Sequence, residues 1–217
     1  MITQNRSLFY AESEASLRFG DVLKGFISVS PKIKEPFSGT FKHDYKIQVE
    51  MPSFSVVMTP CCSIGENKIS LAPLIPVRKS FYENKYFAED LTRINRVMER
   101  RYVLSEDKFK SKSPEEQAEI LSNDNKVYTL LDLFIYDKND IYDEYNIKMD
   151  GKNEAIKYYM VDFKTIQKID CEEVKSSRES PLSAKCLQLS ISARNDLRNK
   201  MAYYYGRIPD EDKGKGD

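Results

Sequence analysis

The chain has 217 residues, with 34 basic residues against 34 acidic ones, one histidine and four cysteines. That length suffices for a sizeable core, and the charge balance excludes a whole-protein field that would draw in nucleic acid or an anionic membrane. No apolar run reaches membrane-spanning length, and Met1–Tyr10 lacks the basic-then-apolar layout of a secretory signal.

One histidine, His43, leaves most metal and triad chemistries short of parts. Cys61 and Cys62 are adjacent while Cys171 and Cys186 stand far apart, which is neither a disulfide framework nor a zinc pattern. The expectation is a reduced, cytoplasmic protein without cofactor, metal or membrane association.

In chain order, a short strand or arm is expected around Ser7–Tyr10. A turn follows at Gly20-Asp21, then a strand over Val22–Ser30. Residues 32–45, which contain Pro36, Gly39 and His43, read as a mobile excursion, and the sequence does not say whether it orders on binding. The alternation of Ile47 and Val49 predicts a half-exposed strand over Lys46–Glu50. The most apolar and most sharply punctuated stretch comes next. Phe54–Thr59 and Lys68–Leu74 read as two buried strands around a cysteine-bearing turn, Pro60–Asn67. Cys61 and Cys62 are taken as small buried thiols under that hairpin. A reactive thiol needs a base or positive neighbour to lower its pKa, and the sequence supplies none nearby; shaping a binding surface is the other role open to Cys62.

Past Val77 the period changes. Phe87, Leu91, Ile94 and Met98 fall on one helical stripe, with Arg93, Arg96, Arg100 and Arg101 away from its centre as a solvated face or, alternatively, a phosphate-binding one. Ser113-Pro-Glu-Glu116 is a helix start with Ser113 as cap, Pro114 at the first position and Glu116 completing a capping box. Val127–Tyr136 predicts a strand. The acidic stretch 137–145 fits no calcium loop, since the glycine and terminal glutamate are missing. Lys157–Asp170 reads as a long, bent strand and Glu172–Ser183 as a polar loop. Leu189–Tyr205 is a helix with Ala193, Leu197, Met201 and Tyr204 buried, ended by Gly206. Arg194 and Arg198, one turn apart, are expected to pair with the acidic stretch, or else to clamp an acidic partner or a phosphate. Tyr203 is expected to be exposed, where a tyrosine beside arginine suits an interface or a base-stacking surface.

Three places resemble the PemK/MazF-like small barrels: Gly20-Asp21-Val22, then Val56–Thr59, then Ile69–Pro73. A more specific resemblance is to a poorly characterised prokaryotic group distantly similar to those toxins. Its closing motif matches here at Leu189, Arg194, Leu197, Ala202, Tyr204 and Arg207. The resemblance implies a barrel that dimerises through strand edges and a setting among defence or toxin–antitoxin-like modules. Two departures stand out. Pro52-Ser53 and Pro76 occupy the places where the toxins carry a catalytic arginine and a hydroxyl, and Ser63 replaces the aspartate of the group's Cys-Asp turn.

The expected fold is therefore α+β: a twisted, mostly antiparallel small barrel of PemK/MazF-like type with about three added helices. It is expected as one domain over 1–209, with barrel strands from 20–77 and 127–170, a helical insertion at 85–123, a terminal helix at 189–205 and a disordered tail at 210–217. The expected function is a non-catalytic interaction or scaffold subunit with a protein partner, using Cys62, Arg194, Arg198, Tyr203 and Arg207. The alternatives are an endoribonuclease with His43 as base and an RNA- or DNA-binding module.

Overall fold

A computed structural model describes residues 8–26, 28–33, 45–64, 68–84, 91–96, 104, 106–122, 130–139, 146–149, 152–155, 157–170 and 181–206. His43, Arg207, Cys171, Arg100, Arg101 and the tail fall outside them. The protein is α+β, its strands pair antiparallel, and the chain divides into two compact units, each assembled from segments distant in sequence. Residues 12–74 and 166–188 make one; residues 1–11, 75–165 and 189–217 make the other. No described helix is long and apolar enough to cross a membrane.

In the unit built on residues 12–74 and 166–188, the hairpin read from the sequence is present. Strand β4 (Phe54–Val57) pairs with β5 (Lys68–Pro76), with Ser55 opposite Pro73 and Val57 opposite Leu71. β-Branched and apolar residues run through both strands because both faces are covered; Val56, Val57 and Ala72 are completely buried. On the other side of β4 lies β1 (Val22–Lys24), which pairs in turn with β11 (Lys185–Leu187). Strand β10 (Gln167–Asp170) pairs with β5. Leu17, Leu23, Val57, Ile69 and Leu71 form the core.

The strand expected over Val22–Ser30 is broken in two. Gly25 and Phe26 adopt φ of 81° and 78°, left-handed values that no strand contains. β1 therefore stops at Lys24, and β2 (Ser28–Ile33) leaves to pair with β3 (Tyr45–Glu50) as a separate ribbon. Gly25 supplies one such conformation freely; nothing in the sequence marks Phe26 for the other.

In the second unit, β6 (Leu133–Tyr136) pairs with β9 (Tyr159–Asp162), with Ile135 opposite Met160. Successive side chains of β6 point to opposite faces. Leu133 and Ile135 join Val77, Phe81, Leu91, Ile94 and Ile120 in one cluster, while Phe134 and Tyr136 meet edge to face at 5.5 Å on the other face. All four are buried. A small antiparallel ribbon, β7 (Asn146–Met149) and β8 (Lys152–Ala155), lies between them in sequence. The long strand expected over Lys157–Asp170 bends at a 3₁₀ turn, Phe163–Thr165, which separates β9 from β10.

Four α-helices are described: α1 (Lys79–Glu83), α2 (Glu106–Lys110), α3 (Pro114–Ser122) and α4 (Ile191–Gly206). The described part of the helix expected from Phe87 to Met98, Leu91–Asn95, is a 3₁₀ turn instead. Its stripe survives, because Leu91 and Ile94 are buried at a spacing of three, which a 3₁₀ turn serves as well as an α-helix. The α3 capping box is present as read. The Glu116 amide donates to Ser113 Oγ at 3.2 Å, and the Ser113 amide donates to Glu116 Oε2 at 3.1 Å. Ser113→Ala is expected to destabilise this helix by about 1 kcal/mol, measurable as a lower urea midpoint; an unchanged midpoint would show the cap to be dispensable.

Candidate functional site

A cleft of about 530 Å³ in the second unit lies between the 91–95 turn and the beginning of α4. One wall carries Thr92, Arg93, Asn95 and Arg96. The other is the first turn and a half of α4, with Ile191, Ser192, Asn195 and Asp196, and Phe134 of β6 closes the floor.

Each wall is fixed by the local sequence. On the turn, burial of Leu91 and Ile94 pushes Thr92, Arg93 and Arg96 outward; the two arginines are half-buried and exposed respectively. Asn95 is buried, and its side-chain amide grips the backbone of Ile135. Nδ2 donates to the carbonyl at 2.6 Å, and Oδ1 accepts from the amide at 2.5 Å. This takes up the hydrogen-bonding edge of β6 away from β9.

On the α4 side, Ser190 is the cap. Its Oγ accepts from the Ala193 amide at 3.3 Å, and its carbonyl accepts the first helical bond, from Arg194 N–H at 2.9 Å. The Ile191 amide donates to the Tyr10 hydroxyl at 3.3 Å. Residues 8–10 are held there by the Ser190 amide donating to the Leu8 carbonyl and by a bridge between Phe9 and Leu189. The positive end of a sixteen-residue helix thus faces the arginine-bearing turn. Ile191 is 63% exposed and Tyr10 37% exposed, both apolar surface beside the opening. Asp196 is the one carboxylate of the lining.

The same helix is tied down further along. Lys200 is 1% exposed, and its amine donates to the carbonyl of Ile94. Burial holds this amine down to about 7, against attraction from Asp132, which works the other way. Burial alone would raise the Asp132 carboxyl, but the hydrogen bond and charge of Lys164, at 2.8 Å, bring it below the usual range. The last turn of α4 is anchored by Tyr205, whose hydroxyl donates to the Phe163 carbonyl at 2.9 Å, and by Tyr204, 5.7 Å from the Phe163 ring.

The residues nominated from the sequence are not gathered in this cleft. Arg194 Nη2 donates to the Leu189 carbonyl at 3.2 Å, and Arg198 Nη1 donates to Asn195 Oδ1 at 3.2 Å, so both bond within their own helix and its approach. The residues 140–145 of the acidic stretch lie outside the described ones, as do His43 and Arg207. Tyr203 is exposed as expected. The cysteine turn differs from its reading. Cys61 is half-buried and Cys62 exposed, so neither fills space beneath the hairpin. The reason is that Cys61–Ser63 form a 3₁₀ turn, which lifts the pair out of the strand plane while Cys61 Sγ accepts from the Phe19 amide at 3.3 Å. Among the described residues no group of three or more histidine, cysteine or carboxylate side chains has the arrangement of a metal site.

Reading α4 by its stripe missed Lys200. The signal was present, because Ala193, Leu197, Lys200 and Tyr204 also repeat at helical spacing, and a lysine on that line is a charge on the buried face. The fold and cleft define an α+β protein with a groove of mixed polar and apolar lining. No protein-family model, curated protein or solved structure matches the chain.

Proposed function

We propose that the chain is a non-catalytic interaction subunit that takes a short segment of a protein partner in the cleft between the 91–95 turn and α4. The segment would carry an acidic group beside an apolar side chain. The observation that carries this reading is the composition of the cleft. Arg93 and Arg96 stand on one wall and a helix N-terminus on the other, Asp196 is the one carboxylate of the lining, and Ile191 offers apolar surface at the mouth with Tyr10 beside it. Arginine and tyrosine are the residues on which binding energy concentrates at protein interfaces. With the Ile191, Ala193 and Arg194 amides already bonded, the helix N-terminus favours an anion through its macrodipole.

The nucleic-acid alternative finds less support. A single-strand site stacks successive bases on a row of accessible rings; here Phe134 in the cleft lining is completely buried, which leaves one exposed ring, Tyr10, beside the mouth. The kinship with PemK/MazF-like barrels belongs to the same proposal; the antiparallel order of β11, β1, β4 and β5 with β10 on β5 is in keeping with it, although the described sheet is not closed into a barrel. The setting expected from that kinship is a prokaryotic defence or toxin–antitoxin-like module, with a dimer formed through strand edges.

The test is selection of a displayed random-peptide library on the purified chain, followed by anisotropy titration of the winning peptide and of a single-stranded RNA. Winners should combine Asp or Glu with a large apolar residue. Arg96→Glu and Ile191→Asp should each weaken binding about tenfold or more, equivalent to about 1.4 kcal/mol, with the circular dichroism spectrum retained. Tighter binding of the RNA with a steep salt dependence, or peptide binding indifferent to both substitutions, would overturn the reading.

A further inference from the structure

Lys200 has no part in binding as derived so far, yet it joins the two walls of the cleft. It sits on α4 one turn beyond Asp196, and its amine holds the carbonyl of Ile94, which lies between the cleft residues Arg93 and Asn95. The turn is therefore held at two consecutive residues. Asn95 is bound to the backbone of β6 by its side chain, and Ile94 is bound to α4 by Lys200.

We propose that Lys200 is a positioning residue for this cleft: its neutral amine fixes the arginine-bearing turn against α4, and gaining a proton loosens that hold. The proposal rests on the cleft being the binding site.

The chemistry is a matter of donors. A neutral amine needs little more than the single bond to Ile94, and apolar surroundings suit it. An ammonium has three donors and a charge, and Ile94 supplies its one described hydrogen-bond acceptor. The nearest source of compensation is Asp132, whose carboxylate attracts the ammonium but already accepts from Lys164 and feels Arg78. The turn itself carries Arg93 and is followed by Arg96, both adding positive charge beside Ile94. A protonated Lys200 is thus drawn away from Ile94, toward Asp132 or water. Because burial brings the amine to about 7, both forms are populated near neutrality.

The sign for stability follows. The folded-state pKa, about 7, lies below the ordinary 10.5, so between these values the unfolded chain holds the extra proton. Stability therefore rises with pH across that window, and the penalty of a buried charge is fully present below it.

The experiment is NMR on the whole chain labelled with ¹³C-lysine and ¹⁵N, titrated from pH 5.5 to 10, with His43→Gln in every sample to remove the histidine titration. One lysine should titrate near 7 while the others stay near the usual value of about 10.4. Amides of residues 92–96 and 192–196 should move with that same midpoint, and Lys200→Met should abolish the movement. A lysine set that titrates wholly near 10, or an amide transition that survives in Lys200→Met, overturns the proposal. Should Lys200→Met fail to fold, the wild-type lysine titration and its match to the amide midpoint decide alone. The transition, together with a peptide selection and titration that find no acidic peptide for the cleft, upholds the device and counts against the binding reading, so the two failures are separable.

Discussion

Asp21→Asn is expected to lower the free energy of unfolding of the unit that contains it by about 3–5 kcal/mol, the range for breaking one partner of a buried ion pair. Asp21 is completely buried, and its Oδ2 lies 2.8 Å from the ammonium of Lys185, whose side chain is 4% exposed. The same carboxylate oxygen accepts from the Arg18 amide at 2.8 Å. The ammonium donates further to Gln188 Oε1 and to the Ser16 carbonyl, each at 2.7 Å, and to the Glu14 carbonyl at 3.1 Å. One buried cation thus gathers residues 14–21 onto the strand β11 that carries it, and the Glu14 amide closes the set on Gln188 at 2.9 Å.

Removing the carboxylate charge strands an ammonium with no route to water, and Lys185→Met strands the carboxylate in the same way. The size of the effect comes from the charge left behind, not from the net worth of the pair. The double replacement Asp21→Asn/Lys185→Met, which removes both charges, should consequently recover most of the loss. Urea denaturation of the two singles and the double forms the cycle that isolates the pair. Singles that cost less than about 1 kcal/mol, in the range of an exposed pair, would show that water reaches the site.

The second large effect belongs to Asn95. Asn95→Ala leaves the amide and carbonyl of Ile135 without their partner in a buried setting, at about 1–3 kcal/mol for each group. A loss near 3 kcal/mol is therefore expected. Asn95→Asp should do no better, since a carboxylate accepts from the Ile135 amide but sets an oxygen against its carbonyl. Hydrogen exchange reads the effect at its source. Protection of the Ile135 amide should fall about a hundredfold, about 2.8 kcal/mol at tenfold per 1.4 kcal/mol. Peptide binding in the cleft should weaken along with it, because Asn95 positions the turn that bears Arg93 and Arg96. Unaltered protection of Ile135 would mean that water or another donor replaces the side chain at no cost.

How much of this was legible beforehand differs between the two units. The β4–β5 hairpin was readable, because an apolar β-branched run punctuated by proline and glycine leaves one sensible pairing. The α3 capping box was readable to the atom, since its two hydrogen bonds join residues three apart. The buried face of α4 was readable at Ala193 and Leu197 but not beyond, since Met201 and Tyr204 are half-buried and Lys200 takes the buried place, and the 91–95 stripe was readable although as the wrong helix type. The break of the first strand at Gly25 and Phe26 was not. A left-handed phenylalanine is held by its surroundings, not by its own preference.

The sequence by itself determined what acts over a few residues: strand and helix periodicity, caps, turns, the charge balance that sets aside bulk electrostatic attraction, and the outward aspect of Arg93, Arg96 and Tyr203. Only the tertiary structure decided which distant groups meet. Asp21 reads as a turn residue and Lys185 lies past the polar loop in no expected element, yet they form a buried, multiply bonded pair, and the helical line that carries Lys200 does not name Ile94 as its partner. The physical reason is that a polar side chain is costly to bury alone and acceptable once partnered. Its burial is therefore a property of the pair, and the partner is supplied by chain topology, which local patterns do not encode.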